Sequence, residues 1–391
     1  MAWQNILGQE RPTSILRHAI ESDRLAHAYL FTGAVGVGTE AVAIELAKTV
    51  NCRSGKGTAC GECDSCQKAD RLQHPNIHLI FPLPVGKGEA AGDPPMQKLS
   101  AEEVSLVREE IRLKSQDRYR TISIPRANTI KVSSIREIRR LSSLSSFEGG
   151  KKCFLIFGAE EMADTAANAL LKTLEEPVGD TLIILTTAQP SKLLPTILSR
   201  CQVLKFGMLD ELVMARALEE RLQLGTTEAQ LAARLASNNY ANAVAAAGKD
   251  LQNDRREMVD YLRTLLYKSR EEESKFIETF AAGNNRPRVQ ERLLVLQTWI
   301  HDAMVLDAGG ADVVNNDDTE ALKKFVAFHT AANYPSMVEA LEESIQALEK
   351  NAYISLILQV LGARLRRAAL EGVPSLSRAT LAITNNLEHE I

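Results

Sequence analysis

The chain has 391 residues, 45% of them apolar, and its 46 basic and 50 acidic side chains leave a formal charge of -4. Such a length exceeds one ordinary hydrophobic core and predicts two or three domains. The slight acidity excludes a generally basic nucleic-acid binder, so any DNA contact has to be local or shared with partner chains. With no apolar run able to span a bilayer and no charged-then-apolar leader at Met1, a soluble, cytoplasmic protein with no membrane partner is expected.

From the N-terminus, Trp3 to Leu25 predicts an amphipathic helix in which Pro12 suits the first turn and Ile15, Leu16, Ala19 and Ile20 form the apolar stripe. Ala28 to Thr32 (AYLFT) predicts a strand that runs into GAVGVGTE and then the helical AVAIELAKTV. Strand, glycine loop and helix are the context of a phosphate-binding loop, and Gly33 and Gly38 have its G-x-x-x-x-G spacing, with Gly36 between them. The chemistry of such a loop is missing. Thr39 stands where the phosphate-gripping lysine belongs, and Glu40 where the magnesium-binding hydroxyl belongs. A carboxylate in the first helical turn satisfies the positive helix end and repels the β- and γ-phosphates of a nucleotide. Gly33, Gly36, Gly38, Thr39 and Glu40 therefore predict a degenerate phosphate loop that keeps the fold of a nucleotide site and takes no ATP.

Six cysteines are present, and Cys52, Cys60, Cys63 and Cys66 have the spacing C-x7-C-x2-C-x2-C. Without a secretory leader, such a cluster predicts a metal site rather than a disulfide framework. Four thiolates close a tetrahedron with no position left for water, so a structural zinc ion is expected, with Gly55, Gly57 and Gly61 allowing the turns between ligands. His74 and His78, in HPNIHLIF, are expected as strand-edge histidines, since the four sulfurs already complete a site.

The next stretch, PLPVGKGEAAGDPP, predicts a flexible surface loop from its Gly and Pro content. Ser100 and Glu103 form a capping box with Leu99 and Val104 at staple positions. Val104, Val107 and Ile111 then line one helix face, with Glu102, Glu103, Arg108, Glu109 and Lys114 on others. That helix has to lie on its own domain or on a partner. Ile130 to Leu144 predicts a helix capped by Ser133 or Ser134, with Ile135, Ile138 and Leu141 buried and Arg136, Arg139 and Arg140 on a basic face.

The segment Lys151 to Gln202 carries the most information. Cys153 to Phe157 and Thr181 to Thr187 are short apolar runs without polar alternation, the signature of parallel strands buried on both faces. Between them Met162 to Glu176 has helical spacing and ends at Pro177, which makes the unit β-α-β. The strings AANALLKTLEEP and LLPTILSRCQ, in that order and at that distance, resemble the clamp-loader branch of the AAA+ ATPases.

This resemblance implies a parallel α/β AAA+ core at residues 1–206, a zinc module at about 51–68, an insertion atypical of the family at about 82–128, a small helical lid at 207–250 and an all-α collar at 251–391. NILGQE resembles the segment beside the adenine pocket. The acidic magnesium motif falls on Phe157 and Gly158, neither of which can hold a metal, and Glu160 and Glu161 come two or three residues too late to replace it simply. In NNYANA, Asn242 stands at the position of the lid arginine, a third loss from the ATP site. Thr186 and Thr187 keep a hydroxyl near the position that senses the γ-phosphate.

The tripeptide Ser199, Arg200, Cys201 is the family's SRC motif, whose arginine reaches ATP on the adjacent subunit, so Arg200 is expected to act in trans with Ser199 beside it. The implied partners are gamma/tau-type and delta clamp-loader subunits, a sliding clamp, and primer-template DNA reached through the assembly. Arg136, Arg139 and Arg140 are by default a solvated face, with phosphate contact the alternative. The leading expectation is a subunit without ATPase activity of its own inside a DNA polymerase III holoenzyme. A diverged gamma-type ATPase and a stand-alone zinc-dependent nucleic-acid binder are the competing classes, the former requiring an anion grip without lysine and the latter a basic surface.

Overall fold

A computed structural model describes residues 2–370, apart from 56, 91, 145–148, 237, 249, 282–284, 312 and 350–351. Residues 371–391, the end of the expected collar, lie outside the described part. The chain divides into two compact units, one of Met1–Val213 with Asn238–Ala241 and the other of Met214–Ser237 with Asn242–Ile391.

In the first unit, α1 (Glu10–Glu21) precedes β1 (Ala28–Thr32), α2 (Thr39–Val50), α3 (Asp64–Asp70) and β2 (Ile77–Ile80). Then come α4 (Ala101–Gln116), α5 (Val132–Ser142), β3 (Lys152–Ile156), α6 (Asp164–Glu175), β4 (Thr181–Thr187), α7 (Pro195–Leu198) and β5 (Gln202–Lys205). The five strands form one sheet in the order β2-β3-β4-β1-β5, with every pairing parallel. All residues of β1, β3 and β4 are buried, as continuous apolar runs at the centre of a parallel sheet require. Register sets Leu30 beside Leu185 and Thr32 beside Thr187, which brings the glycine loop after β1 level with the threonines that end β4. Ile135, Ile138, Leu170, Leu174 and Ile197 pack with Phe154, Ile156 and Ile183 into one core cluster.

Local sequence explains the start of α4. The capping box at Ser100 is complete, with the Glu103 amide donating to Ser100 Oγ at 3.2 Å and the Ser100 amide donating to Glu103 Oε2 at 2.9 Å. Ser133 and Ser134 do not cap α5. That helix begins two or three residues earlier with Lys131 at the N-cap, and both serines are buried with hydroxyls that have no hydrogen-bond partner. Lys114, expected on an outer face of α4, is wholly buried on the Val107 side, because 107, 111 and 114 follow one another at helical spacing. The helix thus lies on its own unit. The Gly/Pro-rich stretch before it is anchored rather than loose: Glu89 accepts from the Gly86 amide at 2.8 Å and pairs with Lys131 at 2.6 Å, both side chains under 10% exposed.

The second unit is helical: α8 (Glu211–Leu222), α9 (Thr226–Leu235), α10 (Tyr240–Ala247), α11 (Leu251–Tyr267), α12 (Arg270–Ala281), α13 (Arg286–Asp307), α14 (Thr319–Phe328), α15 (Tyr334–Glu349) and α16 (Ile354–Leu370). The first residues of α8 and α10 belong to the first unit. Leu265, Trp299, Leu341 and Leu361 sit in its core, where the Tyr261 hydroxyl donates to the Leu358 carbonyl at 3.0 Å. Among the described residues, no helix is long and apolar enough to cross a membrane.

A buried ion pair that loses one member leaves an uncompensated charge, which costs more than the pair contributes. Lys131→Met is therefore expected to destabilise the chain by about 3–5 kcal/mol in chemical denaturation. The double variant Glu89→Leu/Lys131→Met should recover at least half of that loss.

Candidate functional site

The loop from Gly33 to Gly38 joins β1 to α2, with Gly36 at φ +82° and Gly38 at φ +105°, conformations that favour glycine. Gly38 is the N-cap of α2, so Thr39 and Glu40 occupy the first turn, where backbone amides point outward. Gln9 fixes this loop from the side, donating through Nε2 to the carbonyls of Val37 at 3.1 Å and Gly207 at 2.9 Å. The NILGQE segment and the glycine loop therefore form one site.

The helix α4 and the loop after it complete the site with contacts that its sequence does not signal. Lys114 Nζ donates to Glu40 Oε2 at 2.5 Å and to the carbonyls of Arg118 and Arg120 at 2.7 and 2.6 Å. It also stands 5.5 Å from the centroid of the Phe157 ring. The Tyr119 hydroxyl accepts from the Leu7 amide at 2.7 Å, and the ring lies so close to Gly38 that a Cβ there would meet it at 3.1 Å. Across the loop, Asn239 crowds Gly36, and the Tyr240 amide donates to the Gly36 carbonyl at 3.3 Å. The two tyrosines meet edge to face at 5.0 Å.

What remains is a cavity of about 110 Å³ lined by Gly33, Gly38, Glu40, Tyr119, Glu160 and Thr187, among others. Small-molecule sites span roughly 300–1,000 Å³, so this one lies below that range. At its far wall Thr186 Oγ1 accepts from the Gly158 amide at 3.3 Å. Glu160 Oε1 accepts from the Ala188 amide at 2.9 Å, while Oε2 is buried with no hydrogen-bond partner.

Arg200 lies elsewhere on this unit, after α7. Nη2 donates to Glu175 Oε1 at 2.6 Å and Nη1 to the Thr196 carbonyl at 3.0 Å, with side-chain exposures of 34% for Arg200 and 48% for Glu175. Ser199 Oγ donates to the same Thr196 carbonyl at 3.1 Å. Glu175 is the last residue of α6, where the helix dipole disfavours a carboxylate, and Arg200 offsets that charge.

The four expected ligand cysteines converge. The sulfurs of Cys52, Cys60, Cys63 and Cys66 lie within 4.8 Å of one another, a spacing that fits a single metal ion. Backbone amides are aimed at them: Gly55 and Cys60 donate to Cys52 Sγ at 3.2 and 3.3 Å, and Cys63 donates to Cys60 Sγ at 3.4 Å. Such donors favour thiolates, and the Cys63 and Glu62 amides lower the Cys60 pKa to about 6. Cys153 and Cys201 are buried elsewhere, and burial pushes their thiols up to about 12 and about 11. His74 is a satisfied core histidine, its Nδ1 accepting from the Asn76 amide and its Nε2 paired with Ser65 at 2.9 Å. His78 stacks on Phe154 at 5.0 Å, and burial lowers its pKa.

A family model described as DNA polymerase III, delta subunit, matches residues 8–210, just over half of the chain. DNA polymerase III subunit delta' of Bacillus subtilis is 28% identical over 359 residues, covering 90% of this chain and 94% of that protein. Subunit delta' of Escherichia coli is 26% identical over 298 residues, covering 76% of this chain and 75% of that one. DNA polymerase III subunit tau of Escherichia coli is 28% identical over 246 residues, which are 61% of this chain but 31% of tau. With the parallel sheet and glycine loop in place, and with similarity that covers 94% of the Bacillus subtilis delta' chain but 31% of Escherichia coli tau, this chain belongs to the delta-prime family of DNA polymerase III subunits.

Proposed function

We propose that the chain is a clamp-loader subunit that neither binds nor hydrolyses ATP and that offers Arg200 to nucleotide held by a neighbouring gamma- or tau-type ATPase. Its further partners are a delta subunit, the sliding clamp and primer-template DNA, and clamp loading is a property of the assembly. One contrast carries this reading. The cation beside the chain's own loop is committed, Lys114 being buried against Glu40, whereas Arg200 is about one-third exposed, at 34%, and held by a solvated carboxylate.

An exposed pair such as Arg200–Glu175 contributes about 0–1 kcal/mol, so the guanidinium exchanges Glu175 for a triphosphate at little cost. Its planar fork then engages phosphoryl oxygens through two donors. In cis, the absence of a lysine from the glycine loop, the Glu40 carboxylate at the start of α2, Phe157 and Gly158 after β3, and Asn242 in α10 all support a subunit without hydrolytic machinery.

Zinc is the metal we assign to Cys52, Cys60, Cys63 and Cys66, because four thiolates with no open position suit a structural zinc ion. Bound there, the ion would cross-link the loop after α2 to the start of α3, a segment whose own core is little more than Ala59 and Cys66.

In an assembly reconstituted with a gamma-type subunit, Arg200→Ala is expected to slow hydrolysis at the adjoining site by roughly 10³- to 10⁵-fold in single-turnover measurements. Equal rates for the two assemblies would remove the proposal. Elemental analysis should find one zinc per purified chain, and stripping it with a chelator should lower the thermal midpoint by roughly 5–10 °C. An unchanged midpoint after verified metal loss would argue against a structural ion.

A further inference from the structure

The contacts of α4 and the loop after it are not those of a surface appendage. An ammonium group has three N–H donors, and all three of Lys114 are used, by Glu40 and by the carbonyls of Arg118 and Arg120, in a side chain with no exposed surface. Two of the groups around it, Glu40 and Phe157, are residues that count as losses when the loop is read as a nucleotide site. Placed next to Lys114 they have a positive purpose, since one neutralises the ammonium and the other turns a ring face toward it.

Tyr119 makes a second attachment, to the Leu7 amide through its hydroxyl and to Gly38 and Tyr240 through its ring. Arg118 makes a third, donating to the Asp70 carboxylate at 3.1 Å and to the Asp70 carbonyl at 2.9 Å. A buried lysine paired with one carboxylate is costly to maintain unless its remaining protons are also satisfied, as they are here.

We propose that residues 101–124 are a built-in occupant of the nucleotide site, in which Lys114 and Tyr119 take over the bridging that a bound nucleotide would provide between the Leu7–Gln9 segment, the glycine loop and residues 238–241. The inference deepens the reading that this loop takes no ATP and rests on it. Its consequence is a core held in one arrangement whatever the nucleotide concentration.

Hydrogen–deuterium exchange on the full-length chain tests this. Lys114→Met should accelerate exchange about tenfold in peptides covering Gly33–Ile44 and Asn238–Ala241 as well as in 101–124, with β3 unchanged. Glu40→Gln should reproduce the pattern, and the double variant should exchange more slowly than either single one, because neither charge is then left buried without its partner. Acceleration confined to 101–124, or none, overturns the proposal. If Lys114→Met does not fold, Tyr119→Leu carries the test, with faster exchange at Leu7–Gln9 and Gly38 expected and an effect limited to 101–124 overturning it. Titration of the wild-type chain with a fluorescent ATP analogue separates the two readings. Micromolar binding would defeat the premise that the site takes no nucleotide, and exchange confined to the insertion defeats the occupant alone.

Discussion

A carboxylate at the positive end of α2 sets the character of this protein. In a glycine loop that opens a helix, the amides of the first turn and the dipole behind them favour an anion, and a nucleotide phosphate is the anion such loops commonly receive. Glu40 supplies that anion from within the chain, permanently, and so changes what else can be stable nearby. A second anion is repelled, while a cation is drawn in. Lys114, reaching back from 74 residues downstream, is that cation. The loop keeps its backbone geometry because the positive φ angles at Gly36 and Gly38 depend on glycine, not on ligand.

The two basic groups singled out by the structure differ mainly in their surroundings. Lys114 has no exposed surface, and its pair with Glu40 is closed by two carbonyls; removal of either partner would strand a desolvated charge. Arg200 meets Glu175 in solvent, where attraction is screened and the ordering of two side chains offsets most of the gain. Burial therefore makes one pair a fixed part of the fold and leaves the other exchangeable. The carboxylate at the end of α6 also holds the guanidinium in one direction.

Much of this was legible in the sequence where the information is local. β1 and β4 were visible because strands buried on both faces lack polar alternation, and both were found at the predicted bounds. The cysteine cluster was visible because ligand spacing is itself the signal, and the capping box of α4 because both its hydrogen bonds lie within four residues. Lys114 was not, since a lysine near the end of a charged helix ordinarily faces water. Only its place three residues after Ile111, in line with Val107, marked it as turned inward. Nothing short-range could reveal Tyr119, whose partner Leu7 lies 112 residues away. The cap of α5 was misread for a related reason: Ser133 and Ser134 have the chemistry of N-cap residues, but the burial of Ile135 and Ile138 sets the helix phase and carries both serines inside.

Asp70 shows how the loop after α4 is tied to α2 and α3. Its carboxylate accepts from Lys48 of α2 at 2.7 and 2.8 Å and from Arg118 in the loop after α4 at 3.1 Å, while its own helix begins in the cysteine cluster. Three stretches distant in sequence thus share one anion. The arrangement is not free of strain: burial pushes the Arg118 pKa down and the nearby Glu45 pKa up, and Arg118 Nη1 and Glu45 Oε1 both lack hydrogen-bond partners. A surface loop has no reason to carry such groups into the interior, where each unsatisfied atom costs about 1–3 kcal/mol. Their presence is accounted for if the position of Tyr119 matters more than the local loss, because Arg118 ties the backbone next to that ring to Asp70.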